Sequence, residues 1–441
     1  MRKTKELFLC TQVIRLAVRW QRPVYINKVY VIIKSNRGGL LVKINSIEIS
    51  GYRSLKNVTW KPGDLNIIIG PNGTGKSNLL RFFELLVAAS KGHLARYIQK
   101  SGGIRPLLWD SKPDSLSFRL KSCLPGLDNS HWEEQFTYEA LIRQMGRSSD
   151  YQVESEQLSC KDQDNGHKEH DSEEQVNLLQ RHKQQAEIYD DKGHKMIAPD
   201  GAIPQDEMLL ASAANPFSGS GKVNAFQKGL SSWTIYHDLQ VHRDSAIRMP
   251  VIARYETSIS ADGQNLVPVL HTLYTSNRNF KFALDSAMQA AFGHEYVELV
   301  FPPASDQRIQ LRIRWSSLEQ EQSAADLSDG TLYFLLLMTI LNNPNPPGLI
   351  AIDEPETGLH PSMLPVIAEH AVETSQKAQV IFTTHSSPFL DAFHDVKPVT
   401  TVARWHNGET LLKVLDGKDL EYWLRSYTLG SLFASGELED M

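Results

Sequence analysis

Gly70-Pro71-Asn72-Gly73-Thr74-Gly75-Lys76-Ser77 reads G-x-x-x-x-G-K-[ST] in full, a spacing that holds phosphate. Gly70, Gly73 and Gly75 let backbone N–H groups turn inward and approach phosphate oxygens with no Cβ in the way. A helix opening near Gly75 adds the positive end of its dipole. Lys76 supplies a cation for the β- and γ-phosphates, and Ser77 a hydroxyl for Mg²⁺. Pro71, Asn72, Thr74 and the following Asn78 are counted with the nucleotide-binding set. A Gly-rich turn with a chance lysine is the bland alternative, and the elements on either side argue against it.

A second group lies far downstream. Leu349-Ile350-Ala351-Ile352 is a buried-strand pattern that ends on two adjacent acids, Asp353 and Glu354. Asp353 suits Mg²⁺, and Glu354 suits polarising an attacking water. Two carboxylates at a buried strand end are costly without cations or donors nearby. Alone, such a pair is as readily a solvated turn; with a phosphate loop upstream it reads as catalytic. Leu327-Ser328-Asp329-Gly330-Thr331 opens an apolar helix, with Ser328 and Gly330 at its anion-attracting end. An ordinary helix cap would look the same. His385 follows the strand-like run Val380–Phe382, where a lone histidine is usually structural.

The elements that must position these groups are legible around them. Lys43–Ile49 largely alternates apolar and polar residues, as a half-buried strand does. Leu65–Ile69 suits a strand buried on both faces, and Asn78–Ala89 has helical spacing. Strand, loop and helix thus follow within one βα unit. Helical patterns recur at Leu266–Tyr274 and Phe280–Phe292, and a β-like piece at Ile309–Trp315.

Composition bounds the rest. The 441 residues carry 46 Lys and Arg against 51 Asp and Glu, a formal charge of −5. Nucleic-acid binding would therefore need a local patch. Three dispersed cysteines match no metal or disulfide pattern and suit a reducing compartment. No apolar run is long enough to span a bilayer, so a cytoplasmic protein without membrane contact is expected. Residues 1–41 form a basic extension with Glu6 as its one acid. Residues 42–148 hold the first half of an ATPase, and 229–441 the second. Between them, 149–228 is polar and reads as a flexible inserted arm, in which Gln175–Tyr189 could form a charged helix.

Taken together, these segments resemble the RecF/OLD-like, ABC-type (SMC-like) bacterial predicted AAA-family ATPases. The likeness is carried by Lys43–Leu55, the phosphate loop, Asp262-Gly263-Gln264-Asn265-Leu266, Leu327–Thr331, Ile352–Pro361, Thr383–Asp391 and Tyr427–Glu437. It covers about Val42–Ser148 and Gly229–Glu439. The resemblance implies an α/β P-loop fold of the ABC/SMC-head type with a polar inserted arm. It makes Leu327–Thr331 the signature motif, Glu356–Pro361 the D-loop and His385 the switch histidine. It further implies ATP and Mg²⁺ as cofactors and a homodimer in the ATP state. DNA, or a nuclease-type effector encoded nearby, stands as a partner, in repair or antiphage defence. No nuclease of the chain's own is expected. The competing expectation is a nucleotide-gated scaffold with slow hydrolysis that holds a partner protein. A transporter subunit is disfavoured by the form of the signature and by Gly358-Leu359-His360-Pro361.

Overall fold

All five residues of Leu65–Ile69 are buried, and successive side chains enter different cores. Ile67 and Ile69 face one hydrophobic cluster and Ile68 the other. That is what a strand covered on both faces must do. The computed structural model describes residues 42–440 except 112, 126–132, 147–148, 162–174, 197–203, 215–219, 394–395, 416–422 and 425. The basic extension lies outside the described residues.

In chain order the strands of the two large sheets are β1 (Lys43–Tyr52), β2 (Leu55–Trp60), β3 (Leu65–Ile69), β4 (Ser115–Pro125), β5 (Glu133–Gln144), β6 (Tyr151–Lys161), β7 (Gln175–His182), β8 (Gln185–Tyr189), β9 (Lys195–Met196), β10 (Thr234–Tyr236), β11 (Leu349–Asp353), β12 (Gln379–Thr384), β13 (Val399–His406) and β14 (Glu409–Val414). An antiparallel sheet has the order β2-β1-β4-β5-β6-β7-β8-β9, and a second sheet the order β10-β11-β12-β3-β13-β14. In the second, neighbours from β10 to β13 run parallel and only β14 is antiparallel.

The principal helices are α1 (Lys76–Ser90), α2 (Leu94–Lys100), α3 (Leu209–Ala213), α4 (Gly221–Ser231), α5 (Leu266–Ser276), α6 (Arg278–Phe292), α7 (Asp329–Leu341), α8 (Leu364–Ser375) and α9 (Ser387–Asp391). The apolar faces of α1, α3 and α4 share a core with the antiparallel sheet and one face of the parallel sheet. Helices α5 to α8 cover the other face. Long-range bonds knit the two sheets together. The Gln379 amide donates to Ile44 O (3.0 Å) and Gly63 O (2.8 Å) and accepts from Ile44 N (2.9 Å). Trp60 Nε1 donates to Thr401 Oγ1 at 3.0 Å. Among the described residues no helix is long and apolar enough to cross a membrane.

The expectation of a polar, flexible arm at 149–228 is corrected for the described residues of that stretch. This stretch supplies β6 to β9, α3 and α4, and Gln175–Tyr189 forms the β7–β8 hairpin instead of a helix. The reason lies in the periodicity. A one-sided antiparallel strand needs an apolar residue only at alternate positions, and Leu158, Cys160, Leu179 and Ile188 meet that need. The polar average of the segment counts the outer face as well. Two buried charges are also satisfied internally. Glu156 accepts from Tyr138 Oη (2.9 Å), Leu209 N (2.6 Å) and Leu210 N (2.9 Å), which caps α3. The Arg181 guanidinium donates to the carbonyls of Lys183, Pro204 and Glu207.

Candidate nucleotide-binding and hydrolysis site

The phosphate loop joins β3 to α1, and its conformation depends on two glycines for different reasons than on the third. Gly70, Gly73 and Gly75 all have positive φ. A Cβ at Gly70 would stand 2.3 Å from Ala403 O, and one at Gly75 2.0 Å from Thr410 Oγ1. Gly73 has nothing within 4 Å and is needed for its backbone angle alone. The loop is buttressed from behind. Thr410 Oγ1 lies 2.7 Å from Ser54 Oγ and 2.8 Å from Thr74 O. Asn78 Nδ2 donates to the same Ser54 Oγ at 2.8 Å, so its side chain joins the buttress behind the loop. Thr74 is buried and its hydroxyl donates to Pro71 O at 2.9 Å, whereas Pro71, Asn72 and Gly73 are exposed at the loop's rim.

Parallel pairing brings the scattered chemistry together. Asp353 pairs with Thr383, and Thr384 with Ile69, so β11, β12 and β3 end side by side. Beyond those ends stand Asp353-Glu354, His385 and the phosphate loop. Lys76 Nζ donates to Gly70 O (2.7 Å) and Pro71 O (3.0 Å). Burial lowers the Lys76 ammonium pKa, opposed by the charges of Glu354, Asp353 and Glu356. Asp353 is held from two sides: Oδ1 accepts from the Thr383 hydroxyl and Oδ2 lies 3.1 Å from His237 Nδ1, and the nearby Ser77 hydroxyl also favours its ionised form. Burial alone would raise the Asp353 pKa, but these donors together pull it below the ordinary carboxylate value.

Glu354 occupies left-handed backbone space at φ 47°, a conformation that costs a non-glycine residue about 1–3 kcal/mol and clusters at functional sites. Its N–H donates to Thr383 O at 3.0 Å, which holds the turn. Its Oε1 lies 3.0 Å from His385 Nδ1. Glu356 stands next to this pair: one carboxylate oxygen accepts from the Thr384 hydroxyl, and the other is buried with no hydrogen-bond partner among the described residues. Burial raises its pKa, against hydrogen bonding from Thr384 and the charge of His385.

Ser328 caps α7, accepting from Thr331 N at 3.1 Å, and both Ser328 and Asp329 are exposed. A Cβ on Gly330 would come within 2.9 Å of Gly358 O, so the helix start and the loop after the acids are in close contact. One turn further on, Tyr333 is buried and within electrostatic reach of Glu356, Asp353 and Glu354. The side-chain hydrogen bonds of Ser328 among the described residues go to Thr331.

Several contributors escaped sequence reasoning. Buried Arg248 donates to the carbonyls of Val241, His242, Ala324, Ala325 and Leu327, and pairs with Asp329, clamping the loop before α7. His237, Ser54 and Thr410 are likewise single residues without a local pattern. Glu356 lies inside a stretch already noted as the D-loop, but not as a member of the acid cluster. The stretch Asp262–Leu266 also finds its use. Gln264 Nε2 donates to Gln240 O (2.8 Å) and its Oε1 accepts from Ala246 N (2.8 Å), pinning the segment that carries His237 and Arg248.

Comparison with known proteins agrees with this geometry. Residues 43–198 match the family model described as an AAA ATPase domain. Residues 228–392 match one described as an AAA domain, putative AbiEii toxin, of a type IV toxin–antitoxin system. An SMC head bound to the C-terminal winged-helix domain of ScpA superposes with a TM-score of 0.53 at 12% identity, covering 86% of this chain and 99% of that one. The chain thus carries AAA ATPase domain sequence over both matched stretches, in a fold similar to that of an SMC head. An SMC head domain from Thermotoga maritima aligns at 12% identity and a TM-score of 0.41, over 85% of this chain and 99% of its own. No curated protein matches the sequence. The first family match runs through β6 to β9 of this ATPase, the strands read from sequence as an inserted arm.

Proposed function

We propose that this ATPase domain binds ATP with Mg²⁺ at the ends of β3, β11 and β12 and hydrolyses it. The observation that carries the reading is His385 Nδ1 standing 3.0 Å from Glu354 Oε1, with Lys76 within reach of the Glu354 and Asp353 charges and Ser77 among the groups that lower the Asp353 pKa. Mg²⁺ binds through one or two protein oxygens plus phosphate and water. A hydroxyl near enough to help keep a carboxylate ionised fits that requirement. Bound there, the ion would neutralise charge on the β- and γ-phosphates. Lys76 and the inward-turned loop N–H groups bind the phosphates. Glu354 takes up the proton of the attacking water, and His385 fixes the orientation of that carboxylate. The exposed Ser328 is offered outward, where a second copy closing on the first would place it at that copy's nucleotide.

The same reading gives the molecule its purpose. Closure around ATP is coupled to a partner protein or to DNA, in antiphage defence or repair. The AbiEii-toxin description favours the defence branch. Equilibrium nucleotide binding and steady-state turnover test the chemistry. Lys76→Ala should lose tight ATP binding. Glu354→Gln should keep it while turnover falls about 10²–10⁴-fold, the usual contribution of a positioned base. Wild-type turnover in the Glu354→Gln chain would remove Glu354 from its role, and a Lys76→Ala chain that binds ATP normally would remove the site itself.

A further inference from the structure

We propose that His237 is a positioning residue for the metal-binding carboxylate. It holds Asp353 from the sheet edge in the pose in which that carboxylate meets Mg²⁺ beside Ser77. The inference rests on the assignment of Asp353 just made.

The register of the sheet places His237 there. Strand β10 pairs in parallel with β11, Tyr236 opposite Ile352, so His237, just past the end of β10, comes level with Asp353, the last residue of β11. The imidazole is 17% exposed, wedged between the sheet and helix α1. Nδ1 is 3.1 Å from Asp353 Oδ2. Nε2 is buried, has no hydrogen-bond partner among the described residues, and lies 3.7 Å from Glu84 Oε1 on α1. The ring's one side-chain hydrogen bond therefore goes to Asp353.

That bond completes a set. With Thr383 on Oδ1 and His237 on Oδ2, rotation of the carboxylate is fixed from both sides, leaving its remaining lone pairs directed by the protein and not by solvent. Partners of this kind orient metal ligands, and their loss typically weakens metal binding 10–100-fold. A space-filling role would be served at least as well by an apolar side chain, which would bury no unsatisfied nitrogen. The buried ring is retained at the one place where its other nitrogen can reach the carboxylate.

The test measures metal dependence apart from turnover. Mg²⁺ is titrated against binding of a fluorescent ATP analogue to full-length chains carrying Glu354→Gln, with a parallel measurement in EDTA. His237→Leu removes the donor and keeps most of the bulk. His237→Asn puts an amide nitrogen where Nδ1 stood. The Leu chain should need about 10–100-fold more Mg²⁺, with unchanged affinity in EDTA, and the Asn chain should recover most of the loss. An Asp353→Asn chain separates the two layers of inference. If it leaves the Mg²⁺ requirement unmoved, the assignment of Asp353 fails. If it raises the requirement while His237→Leu does not, the positioning role is overturned. Should the Leu chain fail to fold, His237→Gln, whose amide reaches the Nε2 position instead, replaces it with the same two outcomes.

Discussion

At the scale of single residues, Gly73 and Gly75 carry the same backbone sign but different constraints. Replacing Gly73 by Ala meets open space, so its cost is the left-handed backbone alone, about 1–2 kcal/mol. Gly75→Ala adds a collision with Thr410 Oγ1 and with Ser54 Oγ, 2.6 Å away. Those two hydroxyls form the loop's buttress, so the second substitution should displace the whole support. Denaturant titration should place Gly75→Ala clearly below Gly73→Ala in stability, and isothermal titration should show ATP affinity lost in the first and weakened in the second. Equal effects would mean that the buttress does not shape the loop. The glycines themselves were legible from sequence because their partners are each other, at fixed local spacing. His237 and Arg248 were not: their carboxylate partners lie 116 and 81 residues away, and nothing in the neighbouring sequence marks them.

At the scale of elements, periodicity was informative and average composition was not. β3, α1, α5, α6 and α7 follow from spacing alone, since each buries a recognisable face or is buried throughout. β6 to β9 were misread because a polar average hides an alternating pattern. Their contribution is measurable. Leu178, Leu179 and Ile188 are buried in the core shared with α1, and each apolar side chain of this size is worth about 1.5–3 kcal/mol on burial. A chain lacking residues 162–196 should therefore lose several kcal/mol and expose β6 as an unprotected edge. The thermal midpoint and the monodisperse fraction after purification report this. A deletion that melts and elutes like the full chain would restore the picture of a dispensable arm. The deletion also removes Arg181, whose donors hold Pro204 O and Glu207 O, and so should loosen the segment ahead of α3.

At the scale of the whole molecule, a proposed two-chain arrangement can be separated from single-chain catalysis by mixing two inactive chains. Lys76→Ala removes one phosphate loop, and Ser328→Arg one signature. If each signature serves the partner's nucleotide, a mixed pair retains one intact site, and statistical pairing should recover about a quarter of wild-type turnover. Recovery near zero would assign Ser328 to its own chain. The sheet order carries a further consequence, in time instead of space. Asn66 on β3 bonds Val380 O, 314 residues later in the chain, and β3 has neighbours only in β12 and β13. Strands β4 to β8 can pair successively with their neighbours as they leave the ribosome. The phosphate loop cannot, and at 5–20 residues per second its flanking strands follow after roughly 15–60 s. The element that would grip ATP is thus among the first to be synthesised and the last to be seated, and nucleotide cannot stabilise the nascent chain during that interval.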